Sequence, residues 1–481
     1  MLRLFGAGAS DHPMRNPKEA KRILEALPSE DLKGLEELAH WHESVSVAES
    51  FKPAERIALL SAIDDAAQPR LRKAAREYFA ATRPSRYQEN RIWTHTHEYW
   101  KQAGLAFARA VDAAAQADPK GLPAVALRAL RSLAQQLKWQ HLRYGPIDPA
   151  VWGTMSRIYA LAEARGLADS KLEYLKALMF NAASPDSLLA GEVELAERVI
   201  AELAPKCAIA PAPAAGLLHW IDLARPMTPA RITKPPQASP GLRCFGPGGA
   251  ATALQEMIER LERTRELPGG LLGGQDPEAG LEVLRHLAFV WAPEPPERKH
   301  ARHAVKSRLT IAHSFAGALE ALASAAGSLD FDQKAAESWV VENVSAGGFG
   351  AMVPQMKGDW LRVGTLLAMQ PDGGTNWVIG AVRRVNRVSP QEARVGIQTL
   401  SRAPRRATFR MRGLQEDGLL LPSAVLGSTE VAIALRAGVY PPGANLEASV
   451  DGKEHVYLPL GVAEKTDDYE LIRFREMIRE G

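Results

Sequence analysis

The hydrophobic residues of this chain change their period part-way along it, and that change dictates a fold in at least two parts. From Asn16 to about Pro226 apolar side chains recur at intervals of three and four residues, which places them on one face of an α-helix. Residues 123–137 show the pattern: Leu127, Leu130, Leu133 and Leu137 share a face, and Pro123 stands where a helix starts. Asp148 and Pro149 supply an N-cap and a first helical residue for the next helix, which runs to about Ala162, with Gly166 just past its end. A connection this short makes the two helices antiparallel neighbours. Residues 171–180 and 187–203 continue the pattern.

Beyond Arg302 the period falls to two. Val305, Ser307, Leu309 and Ile311 share one face of a predicted strand. Further strands are expected across 339–353, on both sides of the glycines, and over 360–369, 376–385 and 393–400, with Asp372-Gly-Gly374 as a hairpin turn. Residues 419–422, 431–435 and 469–474 also read as strands, and 446–450 and 454–458 flank the favoured turn dipeptide Asp451-Gly452. Between the halves, Thr233-Lys-Pro-Pro-Gln-Ala-Ser-Pro-Gly241 is a linker by composition. Helices over 249–266 and 278–291 follow, then Ala292-Pro-Glu-Pro-Pro-Glu297, which cannot be helical. The pattern predicts an α+β multidomain protein. A helical domain at 1–232 is a stack of hairpins, similar to tetratricopeptide-type solenoids but without a fixed repeat. A linker with two helices at 233–297 leads to an antiparallel β-barrel at 298–402. A C-terminal β region at 403–481 either extends that barrel or forms a second one.

Composition excludes several classes of function. A chain of 481 residues with a formal charge of only +3 has no overall demand for a polyanionic partner. Aromatics at 6% are too sparse for a surface that tracks single-stranded nucleic acid by stacking. Cys207 and Cys244 lack metal-type spacing and make no disulfide framework, although counting alone permits one bridge. The N-terminus has no signal-peptide run and no stretch reaches the length of a membrane span, so a soluble cytoplasmic protein is expected. His40-Trp-His42-Glu43 and His95-Thr-His97-Glu98 suggest metal ligands, but residues two apart on a helix face opposite sides, so no metal site is expected. The glycine-rich stretches near 245–249 and 269–270 lack the Lys and Ser/Thr of a phosphate loop. No nucleophile–base arrangement or paired carboxylates point to catalysis, so the protein is not expected to be an enzyme. Arg402, Arg405, Arg406, Arg410 and Arg412 form a basic stripe, ordinarily the solvated face of a strand.

Two short motifs carry chemistry. Arg298-Lys-His-Ala-Arg302 presents two planar guanidinium forks, which match a pair of phosphates or the O6/N7 edge of guanine. Asn343-Val-Ser-Ala-Gly-Gly348 places an amide, a hydroxyl and a glycine at a strand end, where a planar base can approach the backbone. Together they resemble the RxxxR and [D/N]xSxxG motifs of the PilZ family, bacterial receptors for cyclic di-GMP. The strands at Gly380-Ala-Val-Arg-Arg384 and Val395-Gly-Ile397 resemble those that close the family's small barrel.

The resemblance implies a non-enzymatic cyclic di-GMP receptor without a cofactor. Arg298 and Arg302 would hold phosphates and a guanine edge, and Asn343, Ser345 and Gly348 would receive the other base. Arg383 and Arg384 would close the pocket. Ordering of the arginine segment would alter what the helical domain binds, so a protein partner is expected there; nucleic acid and membrane insertion are not. The sequence departs from the family at Glu297, where many members carry arginine, and in the Ala-rich stretch 315–326. These departures suit an alternative, a PilZ-like scaffold that has lost its nucleotide and acts through protein contacts alone.

Overall fold

A computed structural model describes residues 12–80, 84–117, 120–294, 301–325, 337–356, 358–423 and 428–478. The chain divides into two compact units. The first is built mainly from helices: α1 (Pro17–Glu25), α2 (Asp31–Val47), α3 (Pro53–Tyr78), α4 (Arg86–Ala117), α5 (Leu122–His141), α6 (Pro149–Ala164), α7 (Ala168–Ala182) and α8 (Ala190–Leu203). Their ends follow the local chemistry. The Asp148 carboxylate accepts from the Ala150 amide at 2.8 Å, and Pro149 opens α6. Gly166, at φ +69°, lets the Leu167 amide turn back to the Ala162 carbonyl at 2.8 Å.

α4 is the central helix of this unit and packs against α2, α3 and α5. Tyr99, His42 and Phe107 are fully buried where they meet. Polar side chains there are linked as a chain. His42 Nε2 lies 3.2 Å from the Tyr99 hydroxyl, which donates to Asp64 at 3.0 Å, and Asp64 is ion-paired with Arg128. Burial, with Arg128 nearby, drives the His42 imidazole down to about 3, so it is neutral in the folded protein. His97 stacks on Trp93 at 4.8 Å. Of the two His-x-His-Glu groups only His42 lies in the core; His40 is exposed and His95 and His97 are half-buried. Among the described residues no cluster of His, Cys, Asp or Glu is placed to hold a metal ion. No described helix is long and apolar enough to cross a membrane.

The continuous helical pattern expected to Pro226 ends earlier. Strands β1 (Ala208–Ala210), β2 (His219–Asp222), β3 (Ala230–Arg231) and β4 (Leu242–Gly246) form a small sheet in the order β1-β4-β2-β3. They are too short to show a period, and prolines between them made the stretch 233–241 read as linker. Cys207 and Cys244 are free thiols. Two helices complete the unit, α9 (Ala250–Thr264) and α10 (Pro277–Val290).

The second unit comprises residues 297–481 with two short segments, Tyr144–Pro146 and Asp186–Leu189. Tyr144 belongs to its core: the phenol accepts from the Val363 amide at 3.1 Å, and the carbonyl accepts from the Arg387 amide at 3.0 Å. Two closed antiparallel barrels make up the unit. The first contains β5 (His303–His313), β6 (Glu337–Ser345), β7 (Gly348–Val353), β8 (Leu366–Pro371), β9 (Val378–Arg387) and β10 (Ala393–Ser401). Leu309, Ile311, Trp339, Val341, Met369, Val382 and Ile397 fill its interior. The second contains β11 (Arg405–Met411), β12 (Leu414–Pro422), β13 (Glu430–Arg436), β14 (Leu446–Val450), β15 (Lys453–Lys465) and β16 (Tyr469–Ile478), around Phe409, Ile433, Tyr457, Ile472 and Phe474. The C-terminal region therefore forms its own barrel.

The Ala-rich stretch between β5 and β6 is a helix, α11 (Ser314–Ala325). Phe315, Ala318 and Ala321 pack with Leu366 and Ile379 of the first barrel and Leu419, Leu421 and Tyr469 of the second. Small side chains suit this place, since they let a helix approach two sheets closely.

Candidate functional site

The strand register of the first barrel lays out a flat platform on its outer face. A bulge in β6 between Val341 and Asn343 turns Asn343 and Ser345 outward. Asn343 pairs with Gly350 on β7, Gly350 with Gly396 on β10, and Gly396 with Arg384 on β9. One row therefore reads amide, bare backbone, bare backbone, guanidinium across four strands, a span of about 14 Å at the usual strand spacing. The row beside it pairs Ser345 with Gly348 and Gly348 with Gln398.

Glycine is required here by close approach. A Cβ on Gly348 would lie 1.9 Å from the Ile397 carbonyl oxygen, and one on Gly350 would lie 2.6 Å from Asn343 Nδ2. The Asn343 carboxamide thus covers Gly350, and its Oδ1 is shielded from solvent with no hydrogen-bond partner among the described residues. A buried oxygen left unpaired costs free energy unless something else donates to it. The Ser345 hydroxyl donates to the Gly348 carbonyl at 3.3 Å and fixes the turn, leaving its oxygen open as an acceptor. The Thr399 amide closes the turn onto the Gly347 carbonyl at 3.0 Å.

Arg302 meets this platform through the backbone. It directly precedes β5, whose first residue, His303, pairs with Val344 between Asn343 and Ser345. Its side chain is exposed, and no described residue pairs with it. Arg298 lies outside the described residues. The other two candidates are engaged. Arg383 sits at a β9 bulge, donates to Gln398 at 2.8 Å and grips Glu464 of β15 with both terminal nitrogens at 2.6 Å. Arg384 is ion-paired with Asp186. A ligand on the platform would meet Arg384 only by sharing or displacing that exposed pair, which is weakly held.

Three contributors were not singled out from the motifs. Gly350 and Gly396 widen the flat area, and their signal was the alternation Gly348-Phe-Gly350 with Val395-Gly-Ile397, which places bare positions on one face of neighbouring strands. Arg402 donates to the Ala346 carbonyl inside the motif turn at 3.1 Å. It had been grouped with the solvated stripe, and only the barrel closure brings it there.

Residues 18–214, from α1 through β1, match the family model described as the N-terminal domain of the cyclic-di-GMP receptor FimW. The match lies wholly N-terminal to the two barrels. No curated protein matches the chain.

Proposed function

We propose that the protein is a non-enzymatic receptor for cyclic di-GMP, with the nucleotide held against the first barrel. The observation that carries this is the row Asn343–Gly350–Gly396–Arg384 across four strands of the first barrel. One guanine would lie on the glycine backbone, with Asn343 and Ser345 bonding its edge. Arg302, with Arg298 four residues earlier in the sequence, would take the phosphates of the bound ligand. The FimW-type helical domain supports the same ligand class, since that protein is named as a receptor for it. Ordering of the arginine segment would then change how the helical domain engages a protein partner.

Calorimetry with cyclic di-GMP on wild type, Arg302→Ala and Ser345→Ala tests the assignment. Binding by wild type and weakening in both variants is expected. Unchanged affinity in both variants would overturn the residue roles, and no binding by wild type would overturn the receptor role.

A second reading is a scaffold without nucleotide, acting by protein contacts. The specific observation in its favour is that Arg383 and Arg384 already hold carboxylates. A thermal shift separates the two, because ligand at a hundred times Kd stabilises a receptor by about 2.7 kcal/mol and a scaffold not at all.

A further inference from the structure

The two barrels have the same topology. The first closes in the cyclic order β5-β6-β7-β10-β9-β8 and the second in the order β11-β12-β13-β16-β15-β14, every pairing antiparallel in both. Strand for strand, β11 takes the place of β5. In sequence, β5 is preceded by Arg298-Lys-His-Ala-Arg302, and the start of β11 lies in Arg402-Ala-Pro-Arg-Arg406, which has the same four-residue spacing of arginines. Arg302 directly precedes its strand, whereas Arg406 is the second residue of its strand.

At this second entrance lies an open cleft of about 1450 Å³. Arg402, Arg405, Arg406 and Arg410 line it, opposite Asn376 and Trp377 of the β8–β9 turn, and no acidic residue is among its lining residues. The counter-charges lie outside the residues that line the cleft. Asp451 pairs with Arg405, Asp417 with Arg406 at 2.6 Å, and Glu454 with Arg410 at 2.5 Å. All of these pairs are solvent-exposed, hence weakly held and readily exchanged for a better-matched anion. Arg402 pairs with no carboxylate among the described residues and donates to the Ala346 carbonyl at 3.1 Å.

We propose that this cleft is a second ligand site, which takes the phosphates of a nucleotide on the Arg402/Arg405/Arg406/Arg410 wall. Guanidinium forks in this number favour phosphate oxygens, each able to take two parallel hydrogen bonds. The cleft exceeds the usual volume of a small-molecule pocket, so a nucleotide fits without rearrangement of either barrel. The second entrance lacks a counterpart of the Asn-x-Ser-x-x-Gly element, since β12 ends in Leu420-Leu-Pro422. The site therefore recognises phosphate rather than a particular base.

The test uses the full chain and inorganic pyrophosphate as the probe, so it does not depend on the first-barrel assignment. Calorimetry compares Arg302→Ala with the triple variant Arg302→Ala/Arg406→Ala/Arg410→Ala. Pyrophosphate binding that weakens at least about tenfold in the triple variant, and falls steeply with salt, is expected. Equal affinity in the two proteins, or no binding by Arg302→Ala at millimolar pyrophosphate, overturns the proposal. Cyclic di-GMP then distinguishes the source of the phosphate. Two binding steps in wild type, one of them lost in Arg406→Ala/Arg410→Ala, identify a second copy of the messenger. One step that the double variant leaves intact assigns the cleft to a different nucleotide. Far-UV circular dichroism establishes that each variant keeps its barrels.

Discussion

Gly396→Val separates folding from binding at the platform. Gly396 sits mid-strand between Gly350 and Arg384, and a Cβ there would meet nothing closer than Arg384 Cβ, at 3.4 Å. The barrel should accept the side chain. Glycine inside a strand costs about 0.5–1 kcal/mol in backbone entropy, and valine suits a pleated surface, so stability should stay level or rise by that amount. The ligand meets the opposite effect. A base lying on bare backbone sits at van der Waals distance, and the valine methyls would stand in that layer. Loss of one stacked base is worth roughly 1–3 kcal/mol, or about 5- to 150-fold in affinity. Calorimetry with cyclic di-GMP reads the affinity, and urea unfolding without ligand reads the stability. Affinity within twofold of wild type, in a protein that unfolds at the wild-type urea concentration, would refute the placement of the base on this row.

Other changes have expected outcomes of different sign. Gly348→Ala drives a methyl into the Ile397 carbonyl, so it should destabilise the barrel unit by about 2–4 kcal/mol in urea unfolding even without ligand. Asn343→Ala removes a shielded oxygen that has no partner among the described residues, so unfolding should show stability unchanged or raised by up to about 1 kcal/mol while nucleotide affinity falls. The neutral, buried His42 makes the helical unit acid-sensitive. Its folded value of about 3 lies below the ordinary 6.5, so the unfolded chain takes up the proton first. The stabilisation is complete above pH 6.5 and is lost as pH falls from there towards 3. Between pH 8 and pH 5 this amounts to about 2 kcal/mol, and the loss should shrink in His42→Gln when unfolding is followed across that range.

Much of the architecture was legible in the chain because it is carried by local chemistry. Asp148, Pro149 and Gly166 mark the ends of α6 through their own side chains and backbone freedom, whatever surrounds them. The strand β10 buries alternate residues along most of its length, and Asp451-Gly452 closes its hairpin by intrinsic preference. The small sheet of β1 to β4 was not legible, since strands of two to five residues exist only through their partners. Trp360 and the five residues after it were expected to extend β8 but lie outside any strand. The Thr365 hydroxyl there bonds the Trp360 carbonyl at 3.3 Å and accepts from the Arg362 amide at 3.2 Å, offering the backbone an alternative to the ladder.

The sequence by itself determined the change of period, the helix caps and the two motif clusters, because each depends on residues a few positions apart. Tertiary structure alone decided which motif residues share a surface. Barrel closure aligned Asn343, Gly350, Gly396 and Arg384 from four strands, set Arg383 on Glu464, and carried Arg402 to the Ala346 carbonyl. Those neighbours are fixed by strand register, a one-residue slip of which turns every side chain to the other face, and register is settled only when both barrel interiors fill.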